Sequence, residues 1–207
     1  MRPTTIPAIC AISAFLAFGI ASASAETIAT TRYVYYPISG RTAAELYNAM
    51  MKRGPHVDGD EAYAATSATT SQQGQLVSGE SCHIQNYAVK MDFTIRLPRL
   101  QKSPLLSAAD RKRYDQFYAF LRHHEETHRS IWLDCAAAVA AKQSKLTGKT
   151  CSVVEAKSEK LWTDMRKSCS LKHQAFDAKE HQRLLQQPLV RYVLGKATTA
   201  TKGAKAP

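Results

Sequence analysis

The chain has no apolar run long enough to cross a bilayer. A spanning helix needs about 20 apolar residues, and the best stretch, residues 6–20, stops short of that. It has instead the form of a secretory leader: Arg2 precedes it, and Ala23-Ser24-Ala25 follows as an A-x-A cleavage site. The expectation is cleavage after Ala25 and a mature protein starting at Glu26. It would be periplasmic or extracellular, with no transmembrane segment left. Glycine and proline are also scarce, 9 and 8 residues, and neither occurs in residues 105–147 or 149–187. Without breakers, each of those stretches reads as long helix. No repeat or linker divides the chain, so one domain is expected over residues 26–194. Residues 195–207 form an Ala/Thr/Lys-rich basic tail whose composition favours disorder.

Acidic residues are in deficit, 17 against 28 Lys and Arg, giving a net charge of +11. No nucleic-acid motif accompanies this charge, so nucleic acid is not an expected partner, whereas an acidic envelope surface is. Five cysteines are present, and Cys10 lies in the leader. The remaining four, Cys82, Cys135, Cys151 and Cys169, are too widely spaced for a zinc knuckle. An even number in an oxidising compartment predicts two disulfides, with three pairings open.

What is present reads as an α+β domain. Residues 27–38 are rich in β-branched and aromatic types and predict a strand. Thr42 with Glu45 is a capping box for a helix that Gly54-Pro55 stops, with Leu46, Ala49 and Met50 on its apolar side. Residues 62–70 predict a weaker strand followed by a Gln/Gly/Ser loop to Ser81. Residues 88–97 alternate, with Val89, Met91, Phe93, Ile95 and Leu97 on one face, and Pro98 is expected to end that strand. Such alternation predicts a small antiparallel sheet. The two long helical stretches, joined near residues 145–149, predict a helical hairpin for it to pack on.

His124, Glu125 and His128 spell H-E-x-x-H. On a helix, residues four apart share a face, so two imidazoles can point at one metal ion. Glu125 is turned aside, where it can reach a water in an open coordination position; zinc lowers the pKa of such a water to about 7. The apolar stripe Tyr114, Phe117, Leu121 leads into His124 and His128, then continues to Ile131, Cys135 and Val139, so the histidines lie on the buried face. Glu126 is unusual, since the interior of such motifs is ordinarily uncharged.

These residues resemble the bacterial secreted proteins grouped as domain of unknown function nine hundred twenty-two, predicted zinc-dependent proteases. Tyr36-Pro37-Ile38-Ser39-Gly40, Thr42, Glu45-Leu46, Met50 and Gly54-Pro55 look like its N-terminal signature, and Cys82 with the strand into Leu97-Pro98 looks like its middle. Where that family carries Tyr-Asp-x-x-Thr-x-His-Gly, this chain has Phe176 to Gln182: Asp177 matches, Glu180 replaces the threonine, and His181 is displaced by one position. The resemblance implies a zincin-like metal helix and a zinc cofactor.

Catalytic zinc takes three protein ligands. Asp177 is the first candidate to join His124 and His128, and His181, Glu180 and His173 are the alternatives; a solvated helix face is the plain reading of all four. Asp177 has a second possible role, orienting a ligand imidazole. His56, His83 and His123 have no partner at ligand spacing. The expected function is a secreted zinc peptidase with Glu125 as general base and a peptide or protein substrate. Its competitors are a non-catalytic periplasmic binding module with a structural or vestigial metal site, and a cell-wall peptide amidase.

Overall fold

The structure, a computed structural model, describes residues 25–57, 59–102 and 105–203, with side chains to residue 195. The expected leader and the end of the tail therefore lie outside the described residues, apart from Ala25 and the backbone of residues 195–203. The fold is α+β, with a mixed sheet and, among the described residues, four helices. Strand β1 (Glu26–Ile38) is followed by α1 (Ala43–Arg53), a two-stranded ribbon of β2 (His56–Val57) and β3 (Asp60–Glu61), and strand β4 (Ala65–Val77). Strand β5 (Cys82–Leu100) leads to α2 (Ala108–Gln143), then β6 (Thr147–Gly148), α3 (Cys151–Leu185) and α4 (Pro188–Gly203).

The sheet corrects the antiparallel expectation. Central β5 runs antiparallel to β4 but parallel to β1, from Glu26 opposite Ala88 to Ile38 opposite Leu100. Alternating polarity reports which face is buried and says nothing of a neighbour's direction. Val89, Met91, Phe93, Ile95 and Leu97 are all buried, as the alternation requires. Two boundaries also differ. The polar run after residue 70 continues β4 to Val77, because edge pairing with β5 satisfies its backbone without a buried side chain on each turn of the pleat. Pro98 does not end β5: the strand runs on to Leu100, whose N–H donates to Tyr114 Oη at 3.2 Å.

Helix ends follow their sequence signals. Thr42 Oγ1 accepts the Glu45 N–H at 3.2 Å, and Glu45 Oε2 accepts the Arg41 N–H at 2.8 Å. Ser107 caps α2 by accepting the Asp110 N–H. Gly54 closes α1 at a crowded point, since a Cβ there would lie 2.0 Å from the Ala62 carbonyl oxygen. That close approach seats residues 60–64 against the body of the domain. Two disulfides form: Cys82–Cys151 joins the start of β5 to the start of α3, and Cys135–Cys169 staples α2 to α3. They fit the expected oxidising compartment. Among the described residues, no helix is long and apolar enough to cross a membrane.

The core has two parts on one side of the sheet. Ile38, Leu46, Met50, Ile95, Leu97, Phe117 and Leu189 knit α1, α4 and the first half of α2 together. Val89, Met91, Phe93, Ala136, Val139, Val154 and Trp162 join the second half of α2 to α3. His124 and His128 sit midway along α2, between those two clusters.

Candidate metal centre

The middle of α2 carries His124 and His128 one turn apart, and α3 crosses it at Phe176 and Asp177. Asp177 Oδ1 lies 2.9 Å from His128 Nε2 and 3.3 Å from His124 Nε2, and the two Nε2 atoms are 3.0 Å apart. Among the described residues, His124, His128 and Asp177 are the one group of three whose donor atoms converge in this way. Tetrahedral zinc, with bonds of about 2.0–2.2 Å, would separate its ligand atoms by about 3.3–3.6 Å, so the triangle is only slightly tighter than a zinc site. Two imidazole nitrogens at 3.0 Å hold at most one proton between them. Burial lowers the pKa of both rings, the neighbouring imidazole lowers that of His124 further, and Asp177 opposes the shift in each. Neutral rings facing a carboxylate oxygen are the donor set that a divalent cation takes.

Surrounding aromatic rings fix the imidazoles. Phe176 lies with its centroid 4.9 Å from that of His124 and 5.1 Å from that of His128. His173, four residues before Asp177 on α3, brings its Nδ1 to 2.8 Å from His128 Nδ1. That contact engages the ring nitrogen that does not face Asp177, and Trp132 packs against His173 in turn. Of the alternatives for third ligand, His173 is thus beside the group but touches its far side. His181 is exposed on the wall of an adjoining cleft. Glu180 is buried, with Oε1 2.8 Å from Arg183 Nη1. His124 Nδ1 is buried without a hydrogen-bond partner.

Glu125 is 4 % exposed and meets β4, where it lines both clefts together with His124 and Asp177. Thr66 Oγ1 lies 2.8 Å from Glu125 Oε2 and 3.0 Å from its backbone carbonyl oxygen, so its one proton is shared between them. Burial raises the Glu125 pKa to about 7; Thr66 opposes the shift and the Asp177 charge adds to it. Thr66 had no signal in the sequence, because it stands 59 residues before Glu125 and meets it only through the sheet. The unusual Glu126 also finds its reason here. It turns to the other side of α2, where Arg122 Nε donates to it at 2.8 Å and Tyr33 Oη at 2.9 Å, and Arg122 foremost keeps its carboxyl below the usual range.

Two clefts open on either side of the group. One, about 500 Å³, is walled by residues 60–64, Phe120, Glu180 and His181. The other, about 610 Å³, is walled by Ala65 and Thr66 at the start of β4 and by Trp132, Ser170 and Gln174. Both reach His124, Glu125 and Asp177. Together they make a groove along an edge of the sheet, with the His-His-Asp group at its middle.

Fold and site define a disulfide-stapled α+β domain with a histidine–carboxylate cluster in an open groove. The chain belongs to the family described as "Bacterial protein of unknown function", DUF922, whose model matches residues 33–183. No curated protein and no solved structure matches it.

Proposed function

We propose that the protein is a secreted zinc-dependent peptidase, and the observation that carries this is the convergence of His124 Nε2, His128 Nε2 and Asp177 Oδ1 beside a buried Glu125. In this reading the three side chains hold one zinc ion through two neutral imidazoles and a carboxylate. When bound, zinc supplies Lewis acidity, acidifying water and polarising a carbonyl oxygen. Glu125 is the general base. Its Oε2 is steadied by Thr66, leaving Oε1 to take the proton of the attacking water. His173 is a positioning residue: with His128 donating its Nδ1 proton to His173 Nδ1, His128 Nε2 would be left free as a donor atom.

The substrate side rests on the sheet edge. β4 is an outer strand, and its first residues wall the groove beside Glu125. An extended peptide laid along that edge would present its carbonyl groups to the site, as in β-augmentation. The test is hydrolysis of a peptide library by the mature protein with zinc, beside Glu125→Gln. Loss of a general base lowers the rate by about 10²–10⁴. Equal cleavage by the parent and Glu125→Gln would end the peptidase reading.

A further inference from the structure

The cleft on the α1 side of the site carries a charge opposite to that of the molecule. The chain is +11 overall, yet Asp60, Glu61, Glu125, Asp177 and Glu180 line this cleft and, among the described residues, no Lys or Arg does. The cleft on the other side has Glu125 and Asp177 alone as acids, among neutral Thr, Ser, Gln and Trp side chains. The excess negative charge therefore lies on one flank of the centre, at Asp60 and Glu61, with Glu180 beside them paired to Arg183 through one oxygen.

Glu180 adds a separate observation. Its side chain is 3 % exposed, Oε1 is held by Arg183, and Oε2 is buried with no hydrogen-bond partner. A carboxylate oxygen taken from water without a donor is costly, so an unpaired one calls for a donor, and a bound cationic group would supply it. Asp60 and Glu61 face solvent across the cleft, on the short ribbon that the contact between Gly54 and Ala62 holds in place. Apolar Ala64, Phe120, Leu121 and Leu184 line the space between them, which suits an aliphatic stem ending in a cation.

We infer that this cleft is a specificity pocket for a cationic group of the substrate, an ammonium or guanidinium, with Glu180 Oε2 as its buried acceptor and Asp60 and Glu61 at its mouth. The inference deepens the peptidase reading and rests on it for the word substrate, but the pocket's charge and its unpartnered oxygen stand without a metal. The cation has two sources, a Lys or Arg side chain within a peptide or a free peptide N-terminus. The experiment uses N-acetylated peptides that differ at one position, Arg, norleucine or Glu, and an unblocked peptide without Lys or Arg. Their binding to the mature Glu125→Gln protein is read by fluorescence anisotropy, and their cleavage by the parent protein as kcat/KM.

Cationic peptides should be favoured over norleucine about ten- to a hundredfold, the range of a hydrogen bond to a charged group, with the Glu peptide last. An advantage confined to the acetylated Arg peptide assigns the pocket to a side chain; one confined to the unblocked peptide assigns it to a terminal amine. Glu180→Gln should remove most of the preference. The pair Asp60→Asn with Glu61→Gln, both exposed and outside the core, should reduce it even if Glu180→Gln unsettles the pairing with Arg183. Equal affinity for Arg and norleucine peptides, or a preference unmoved by both sets of changes, would overturn the inference. Cleavage without charge preference would sink the pocket and leave the peptidase. Charge-selective binding with no cleavage of any peptide would do the opposite.

Discussion

Replacing Glu125 by glutamine should change how the fold responds to pH, apart from any effect on catalysis. In protein stripped by a chelator, burial carries the Glu125 pKa from an ordinary 4.5 to about 7. The folded state therefore keeps a proton that the unfolded chain releases. Below about pH 4.5 both states are protonated and the stability is whole. Between about 4.5 and 7 the unfolded state alone ionises, so stability falls as pH rises, and above about 7 the loss is complete. At about 1.36 kcal/mol per pKa unit the loss amounts to roughly 3 kcal/mol. Because the side chain is 4 % exposed, solvent does not screen the effect away. Glutamine has nearly the same shape and no proton to lose. Urea unfolding of both proteins at pH 4 and pH 8 with EDTA isolates the term, since titrating groups that do not interact with Glu125 cancel in the difference. The variant should gain about 3 kcal/mol on the parent between the two pH values. A difference that is the same at both would mean that Glu125 is not the buried, proton-holding carboxyl described above.

Further outcomes follow from the same contacts. His173→Ala should weaken zinc binding about 10–100-fold by freeing His128 Nδ1, as loss of a ligand's orienting partner does; competition titration against a chromophoric chelator reads it, and an unchanged affinity would deny the positioning role. Each disulfide should stabilise the fold by roughly 4 kcal/mol in the chain-entropy view, with loops of 69 and 34 residues; paired Cys→Ser variants and peptide mapping check both value and pairing. Phe117→Ala should cost about 3–5 kcal/mol, because the ring is fully buried where α1, α2 and α4 meet; a loss under 1 kcal/mol in urea unfolding would contradict that core.

Much of this was legible in local patterns. The capping residues Thr42 and Ser107, the alternation through β5 and the four-residue spacing of His124 and His128 are signals between near neighbours, and the structure follows each of them. Asp177 was readable as the first candidate because it matches the family's element, and it shares helical spacing with His173 and His181, though nothing in the spacing decided which of the three would face both His124 and His128 Nε2. The features that escaped the sequence depend on distant segments. The parallel pairing of β1 with β5, Thr66 against Glu125 and the partners of the four cysteines arise when far parts of the chain meet, and no local pattern encodes them. The polar stretch of β4 escaped for another reason: edge pairing makes a strand of residues whose side chains bury little.

The central claim is that His124, His128 and Asp177 form one metal centre, and metal analysis of the mature protein tests it most directly. Protein exported with its disulfides intact, dialysed against dilute zinc and then against metal-free buffer, should retain about one zinc per chain. His128→Ala and Asp177→Asn should each lose it without loss of the disulfide-bonded fold. Parent protein that retains no zinc, or zinc that persists in both variants, would contradict the account.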